Sequence, residues 1–299
     1  MTPALVLTAG LATRLQPLSS VRAKAALPVA GTPLVSRILE WLRAAGTTHV
    51  VLNLHHRAET ITRVVGDGSA AGLGVRYSWE SAILGSAGGP ARAIPLLASD
   101  RFLIVNGDTL AAVDLTAMAT QHIETNALVT MAVVDGRPHY NGVIADESGI
   151  VRGFGRDAGA FHFIGIQIVN ASVFAGVNPD VKSETVHGIY PGLIAARPGA
   201  IRIFHAGAEF FDIGSPRDYL ETAMTIAQRE GQPLDRGRDC RVAATATLLD
   251  TIVWDRVDVG AGARLSECVV ADDVVVPAGA EFSRCSLVMR DNKMVATPF

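Results

Sequence analysis

The chain opens with a short apolar run that ends in a loop of small residues, and this feature restricts the fold more than any other. The run covers residues 4–7, and the loop reads TAGLAT over residues 8–13. Small residues let backbone N–H groups approach an anion closely, and Arg14 and Lys24 add two positive charges. A strand that delivers such a loop at its carboxyl end is typical of the ligand-binding edge of an α/β sheet. The opening therefore predicts a nucleoside triphosphate site at this edge.

Short apolar runs alternate with helical patterns up to about residue 225. The runs that predict strands cover residues 4–7, 49–54, 75–78, 102–105 and 128–134. Helices are predicted over residues 34–45, 58–65, 89–97, 115–122 and 218–230. This alternation is typical of a mostly parallel sheet covered by helices on both faces. The runs 142–144 and 163–168 have no helix between them, which predicts antiparallel strands able to form a lid over a pocket.

The end of the chain follows a different pattern, in which apolar residues recur every six positions with one five-residue step. The series consists of Val253, Val259, Leu265, Val270, Val276, Phe282 and Val288. A period of six with small residues between is typical of the flat faces of a parallel β-helix. A pair of ordinary hairpins is the alternative interpretation. Because a short solenoid must cap or pair its open end, we expect a homo-oligomer contact through this segment.

The composition excludes several classes of protein. The chain has 299 residues, 49% of them apolar, and a net charge of −3, which gives no electrostatic reason to expect nucleic acid or an anionic membrane as a partner. No run of eighteen apolar residues and no signal-peptide pattern is present, so we expect a cytoplasmic protein. Cys240, Cys268 and Cys285 lack Cys-x-x-Cys spacing, which favours reduced thiols over a disulfide framework or a zinc site.

The opening segment resembles the signature of the sugar-1-phosphate nucleotidyltransferases. That signature is a Gly-x-Gly-Thr-Arg-Leu-x-Pro-Leu loop followed by a lysine before a Pro-Val turn, and Ala12 stands here at the second glycine. The resemblance implies that Arg14 and Lys24 are catalytic cations that offset the charge of departing pyrophosphate. The alternative is an ordinary strand–loop–helix turn with two surface cations. The nucleotide-binding residues implied in the loop are Thr8, Ala9, Gly10, Leu11, Ala12 and Thr13.

Two further segments resemble the metal-binding parts of the same family. Asp108 is the last residue of an Asn-Gly-Asp segment that directly follows the apolar run of residues 102–105. Asp212 lies in a Phe-Phe-Asp-Ile-Gly-Ser-Pro segment. The resemblance implies that Asp108 and Asp212 bind one Mg²⁺ (or Mn²⁺). This ion binds few protein carboxylates together with phosphate oxygens, so two aspartates suffice. The alternative for each is a carboxylate that satisfies the backbone of a turn.

The segment LGSAGG over residues 84–89 resembles the Leu-Gly-Thr-Ala-Gly turn beside the nucleobase and ribose in this family. The resemblance implies nucleotide contacts for Gly85, Ser86, Ala87 and Gly88. Glu80 stands where the family often contacts the base, and a carboxylate would accept hydrogen bonds from the N–H edge of guanine. A solvated surface glutamate is the alternative interpretation of Glu80.

The residues implied on the sugar-phosphate side are less regular. Asn141 and Gly142 resemble the Tyr-Gly-Val-Val strand of the family with one residue inserted, and Gly165 lies in a matching apolar-Gly-Ile strand. Asn106 precedes the proposed metal ligand. The Glu-Lys-Pro expected after Phe154 is missing, and Arg156 is the cation available in its place. An arginine can bind phosphate in a bidentate way, so we predict that Arg156 contributes to this site.

The fold predicted by these observations is α/β. A Rossmann-like, mostly parallel nucleotidyltransferase domain covers residues 1–230, and the resemblance implies a left-handed parallel β-helix over residues 240–290. The implied reaction joins an NTP and a sugar 1-phosphate to give an NDP-sugar and pyrophosphate. GTP with mannose 1-phosphate or a heptose 1-phosphate is the first expectation, and UTP or dTTP with another hexose phosphate the second.

Two alternatives stay open. An inactive paralogue would bind a sugar nucleotide and regulate a true enzyme. A transferase of the same fold would use another phosphorylated acceptor, such as phosphocholine or N-acetylmuramate 1-phosphate.

Overall fold

The computed structural model describes residues 2–135, 142–156, 159–207, 209–234 and 236–299. The chain divides into two compact units. The first consists of Met1–Gly10, Ile38–His56 and Val65–Phe211, and the second of Leu11–Arg37, Arg57–Val64 and Asp212–Phe299. No described helix is both long and apolar enough to cross a membrane.

Among the described residues, thirteen strands and six α-helices precede the C-terminal segment. The strands are β1 (Ala4–Leu7), β2 (Pro28–Val29), β3 (Thr32–Pro33), β4 (His49–Leu54), β5 (Gly74–Trp79), β6 (Arg101–Asn106), β7 (Thr109–Ala111), β8 (Val129–Val134), β9 (Gly142–Ala145), β10 (Val151–Gly155), β11 (His162–Asn170), β12 (Ile201–His205) and β13 (Phe210–Asp212). The helices are α1 (Leu34–Ala44), α2 (Ala58–Val65), α3 (Gly85–Leu97), α4 (Leu115–Glu124), α5 (Tyr190–Ala196) and α6 (Pro216–Glu230).

The first unit is built on a seven-stranded sheet in the order β12-β8-β11-β6-β1-β4-β5. Strands β6, β1, β4 and β5 run parallel, and β12 is parallel to β8. The uninterrupted apolar runs of β1 and β6 are buried because helices cover both faces of such a sheet. The predicted mostly parallel α/β sheet is therefore confirmed.

Strand β11 departs from the predicted lid. It is antiparallel, as expected, but it lies inside the main sheet between β6 and β8. Its residues Ile164, Ile166, Ile168 and Val169 are buried, and this apolar content places the strand in the core. Strands β9 and β10 form a separate antiparallel pair.

Helix α3 begins at Gly85, four residues before the predicted start. The reason is a distant acceptor, since the amides of Ala87 and Gly88 donate to the Ser183 carbonyl at 2.9 and 3.3 Å. Helix termini need such partners for their first N–H groups. Nothing in the local sequence indicates that residues 183–184 will supply them.

The C-terminal segment, residues 236–299, is called the tail below. Its strands are β14 (Arg241–Val242), β15 (Thr247–Leu249), β16 (Ile252–Val253), β17 (Asp258–Val259), β18 (Arg264–Ser266), β19 (Val269–Val270), β20 (Val275–Val276), β21 (Glu281–Ser283), β22 (Cys285–Arg290) and β23 (Lys293–Pro298). They form three parallel ladders, β14-β17-β20, β15-β18-β21 and β16-β19-β22, and β23 pairs antiparallel with β22.

Residues seventeen positions apart pair in each ladder, as the steps of six, six and five require. Val253 pairs with Val270, and Val259 pairs with Val276. The predicted series is wrong at its last member, because Leu287 rather than Val288 pairs with Val270. The five-residue step therefore recurs after Phe282. Cys268 and Cys285 are buried free thiols whose sulfurs lie 3.7 Å apart.

Candidate active site

Strands β1 and β6 bring the opening loop and Asp108 to one edge of the first unit's sheet. The two strands are parallel neighbours, and Leu7 pairs with Asn106. The Gly107 amide donates to the Leu7 carbonyl at 2.9 Å. A Cβ on Gly107 would lie only 2.8 Å from Cγ2 of Thr8, so a glycine is required there. The predicted residues Thr8 and Asp108 thus follow adjacent strands at their carboxyl ends, where open α/β sheets bind ligands.

A chain of buried hydrogen bonds positions the start of the loop. The Thr8 amide donates to Oδ1 of Asn53 at 2.6 Å. Nδ2 of Asn53 donates to Oε1 of Glu80 at 2.7 Å, and Oε2 of Glu80 accepts from the Leu84 amide at 2.9 Å. These hydrogen bonds therefore connect Thr8, the first residue of the loop, to Leu84, which precedes α3.

Glu80 is 4% exposed, so the surface alternative for this residue is wrong. Each of its oxygens accepts one hydrogen bond from within the protein. Its direct contact with a nucleobase stays a prediction. Sequence reasoning missed Asn53, although a polar residue inside the buried run VVLNL of β4 was a usable signal.

Residues 183–184 of the first unit pack against the backbone of the predicted nucleotide-binding turn at residues 85–88. Oγ of Ser86 donates to Oε2 of Glu184 at 2.7 Å, and the Ser86 amide donates to the same oxygen at 3.2 Å. A Cβ on Gly85 would lie 2.5 Å from the Ser183 carbonyl oxygen. Glycine at this position thus admits residues 183–184, a packing role that the sequence did not indicate. The nucleotide contacts of this turn stay a prediction.

On the sugar-phosphate side the structure brings together two of the predicted residues. Gly165 has φ +78°, and a Cβ there would lie 2.5 Å from Nδ2 of Asn106. Gly142 packs with comparable closeness against Ala160. Arg156 is exposed just after β10, and Asn141 lies outside the described residues.

In the second unit, Arg14 packs against the segment that follows Asp212. A Cβ on Gly214 would lie 3.1 Å from Nη1 of Arg14, so the guanidinium packs closely against this backbone. Ser215 caps α6 by accepting from the Asp218 amide, and Pro216 occupies the first turn. Two predicted motifs, distant in sequence, therefore meet in this unit.

The remaining loop residues show how the signature is adapted here. Ala12 adopts the left-handed conformation with φ +48° and ψ +49°, which is the geometry that glycine serves in the family pattern. Gly10, Leu11 and Thr13 are exposed to solvent, whereas Thr8 and Ala9 are buried. Lys24 is half-buried and begins a short 3₁₀ turn over Lys24–Ala26.

Asp108 and Asp212 are both half-buried carboxylates. Asp108 stands between β6 and β7 and accepts a hydrogen bond from Oγ1 of Thr109 at 3.2 Å. Asp212 is the last residue of β13, the strand that pairs with β7. Among the residues that the structure describes, no group of three or more His, Cys, Asp or Glu side chains is arranged to hold a metal.

Comparison with known proteins shows which family the chain resembles. The sequence model of the nucleotidyl transferase family matches residues 3–229. Mannose-1-phosphate guanylyltransferase of Mycobacterium tuberculosis is 29% identical over 75% of this chain and 64% of its own length. N-acetylmuramate alpha-1-phosphate uridylyltransferase of Neisseria meningitidis serogroup B is 39% identical over 46% of this chain and 60% of its own length. The chain thus covers less than two thirds of either relative.

A solved structure shares the fold. HddC from Yersinia pseudotuberculosis, complexed with GMP-PN, aligns with a TM-score of 0.65 and 23% identity over 76% of this chain and all of its own. The family match covers most of the chain, including the opening loop, Asp108 and Asp212. The chain belongs to the nucleotidyl transferase family.

Proposed function

We propose that this protein transfers a nucleoside monophosphate from an NTP to a sugar 1-phosphate and releases pyrophosphate. The single observation that carries the proposal is the convergence of the small-residue loop and Asp108 at the carboxyl edge of β1 and β6. The relative from M. tuberculosis, which resembles three quarters of the chain, is an enzyme of this type. A sugar-phosphate oxygen would attack the α-phosphorus in line while pyrophosphate departs.

The residues of the loop have separate roles in this reaction. Backbone N–H groups of residues 9–13 bind the triphosphate, because small side chains in this loop let the phosphates approach. The Thr8 amide is held by Oδ1 of Asn53 and fixes the start of the loop. Arg14 and Lys24 offset the negative charge that develops on departing pyrophosphate. Holding two anionic reactants in line contributes much of the rate enhancement, since the attack becomes effectively intramolecular.

We propose that Asp108 and Asp212 bind one Mg²⁺ or Mn²⁺. The donor set fits, because hard oxygen ligands in small number leave coordination positions for phosphate oxygens. When bound, the ion would neutralise the α-phosphate and the sugar phosphate. The aspartates orient it, and Asp108 is in turn oriented by Thr109.

GTP with mannose 1-phosphate or a heptose 1-phosphate is the proposed substrate pair, because the relative that aligns with 75% of the chain is a guanylyltransferase. A second candidate is transfer of UMP to N-acetylmuramate 1-phosphate, favoured by the 39% identity over 139 residues with the Neisseria enzyme. The proposed sugar-phosphate site comprises Asn106, Asn141, Gly142, Arg156 and Gly165.

We further propose that the tail is a short left-handed parallel β-helix through which the protein forms a homo-oligomer. The seventeen-residue register supports the helix, while its hand rests on the family resemblance. The contact is expected because the open end of a short solenoid must be capped or paired. Light scattering of the purified protein would give its mass, and a monomer would overturn the oligomer.

A substrate panel tests the activity. Four NTPs would each be paired with mannose, heptose, glucose and N-acetylmuramate 1-phosphates and with phosphocholine, and pyrophosphate release measured. Turnover with one NTP and a sugar 1-phosphate is the expected result. Turnover with phosphocholine alone would establish the other-acceptor alternative. Calorimetric binding of an NDP-sugar without any turnover would overturn the proposal in favour of a regulatory paralogue.

A further inference from the structure

Arg22 follows the opening loop in the sequence and contacts the tail within the second unit. It lies two residues before Lys24, and its side chain is only 15% exposed. Nε and Nη2 donate to Oδ2 and Oδ1 of Asp272 at 2.8 and 2.6 Å, and Nη2 also donates to Oδ2 of Asp255 at 2.8 Å. A bidentate pair of this kind fixes the guanidinium in both position and plane.

The acceptors of Arg22 are themselves held in place. The Asp255 amide donates to Oδ1 of Asp272 at 3.0 Å, and Oδ1 of Asp255 accepts from the Arg238 amide at 2.8 Å. The guanidinium carbon of Arg22 lies 5.1 Å from the centre of the Trp254 ring, within the range of a cation–π contact. The tail thus binds the Arg22 side chain through two carboxylates and an aromatic ring that are held in place by other contacts.

A second contact holds the chain at Pro28, on the other side of Lys24. The buried Tyr219 hydroxyl donates to the Pro28 carbonyl at 2.6 Å and accepts from Nε1 of Trp254 at 3.1 Å. Trp254 therefore supports both connections, one through its ring face and one through its indole N–H. Lys24 is separated from Arg22 by one residue and from Pro28 by three, so it lies on a short stretch held at both ends.

We propose that the tail positions Lys24 for nucleotidyl transfer, with Arg22, Asp255 and Asp272 as positioning residues. This proposal rests on the proposed function, in which Lys24 meets the triphosphate. A loop held before substrate arrives loses less conformational entropy on binding, and its cation stays where charge develops. Displacement of a catalytic group by about 1 Å is sufficient for about a 100-fold loss of rate.

The tail offers a matched control for the removal of one acceptor. Asp273, next to Asp272, forms a bidentate pair with Arg256, in which Nε and Nη2 of Arg256 donate to Oδ1 and Oδ2 of Asp273 at 2.6 and 2.8 Å. Those side chains are 60% and 49% exposed, and their pair lies within the tail. Asp273→Asn removes the same charge as Asp272→Asn but leaves the Arg22 contact in place.

The test compares Asp272→Asn, Arg22→Lys and Asp273→Asn in the full chain by pyrophosphate release at varied NTP and sugar 1-phosphate. Lysine keeps the charge but cannot form the bidentate pair. We expect Asp272→Asn and Arg22→Lys to lower kcat/KM for the NTP about 10- to 100-fold, with KM for the sugar 1-phosphate within twofold of wild type. Asp273→Asn should stay within twofold of wild type throughout. Wild-type kcat/KM in both test variants would overturn the proposal.

A readout independent of activity separates this proposal from the proposed function. Amide hydrogen exchange over residues 14–28 should be faster in Asp272→Asn and Arg22→Lys than in wild type and Asp273→Asn. Faster exchange together with no turnover in wild type would reject the proposed reaction and retain the positioning contact. Unchanged exchange in both test variants would reject the positioning contact, whatever the activity.

Discussion

Ala12 shows how one residue modifies the loop. It holds a left-handed conformation, φ +48°, that costs a residue with a Cβ about 1–2 kcal/mol. The Cβ of alanine disfavours this conformation, and the structure places Ala12 there nevertheless. The loop's other contacts, such as the burial of Leu15 and Leu18, therefore outweigh the local preference.

Ala12→Gly should leave stability unchanged or raise it by up to about 1 kcal/mol. The relief of strain, about 1–2 kcal/mol, exceeds the entropy that glycine adds to the unfolded chain, about 0.5–1 kcal/mol. Urea unfolding would measure the difference. Ala117→Gly, at an exposed position within α4, is the control and should lose about 1 kcal/mol. Equal losses in the two variants would contradict this account of Ala12.

Glu80→Gln should destabilise the protein by about 1–3 kcal/mol. Both carboxylate oxygens accept buried hydrogen bonds, so the amide group of glutamine would place a donor against a donor. The exposed Glu40→Gln is the matched control and should change stability by less than about 0.5 kcal/mol. Thermal and urea unfolding of both variants would test this, and equal stability of the two would show that Glu80 does not position Asn53.

At the scale of elements, the predicted starts of α1, α2 and α4 are those of the structure, and the start of α3 is the clearest exception. Strands β1 and β4 have the predicted bounds, and each ends where its apolar run meets a polar residue, Thr8 or His55. Helix α3 starts four residues early, because its first amides are bound by residues 183–184, about a hundred positions away. A contact of that kind has no local sequence signal, so the burial of Glu80 and the role of Glu184 were equally beyond prediction.

The Asp255 carboxylate predicts how the stability of the tail depends on pH. Burial raises its pKa, but the Arg238 amide and the cations Arg22 and Arg238 outweigh this and lower the pKa below its ordinary value of 3.8. Asp272, also bound to Arg22, is the other carboxylate at this position. A lowered folded pKa adds stability above pH 3.8 that is lost as the pH falls through the folded value.

Wild type should therefore have a higher free energy of unfolding than Asp255→Asn at pH 6. This difference between the two proteins, called the gap below, should shrink as the pH falls below about 4. Urea midpoints measured at pH 6, 4.5 and 3.5 would follow this gap. The exposed Asp258→Asn would serve as the control, with no change in the gap expected. A gap that widens toward low pH would contradict the lowered pKa.

On the scale of the whole molecule, the order of motifs along the chain predicted the α/β architecture and the repeating tail. It did not indicate how the chain is distributed between compact units. The second unit combines residues 11–37, 57–64 and 212–299, so Arg14 and Lys24 belong to the same unit as the tail, whereas β1 belongs to the first unit. Within this unit Arg22 contacts Asp255 and Asp272, and side-chain contacts of this kind leave no periodic pattern in the sequence.

In the proposed reaction, Asp108 supports metal-dependent transfer of a nucleotide to a sugar 1-phosphate. The most direct measurement is pyrophosphate release by wild type, Asp108→Asn and Asp114→Asn with the substrate pair found in the panel, at increasing Mg²⁺. Asp114 caps α4 from outside the proposed site, and asparagine caps helices equally well.

We expect Asp108→Asn to lose at least about 100-fold in kcat while its thermal midpoint stays near that of wild type. Asp114→Asn should retain wild-type turnover. Wild-type, Mg²⁺-dependent release in a folded Asp108→Asn would contradict the account.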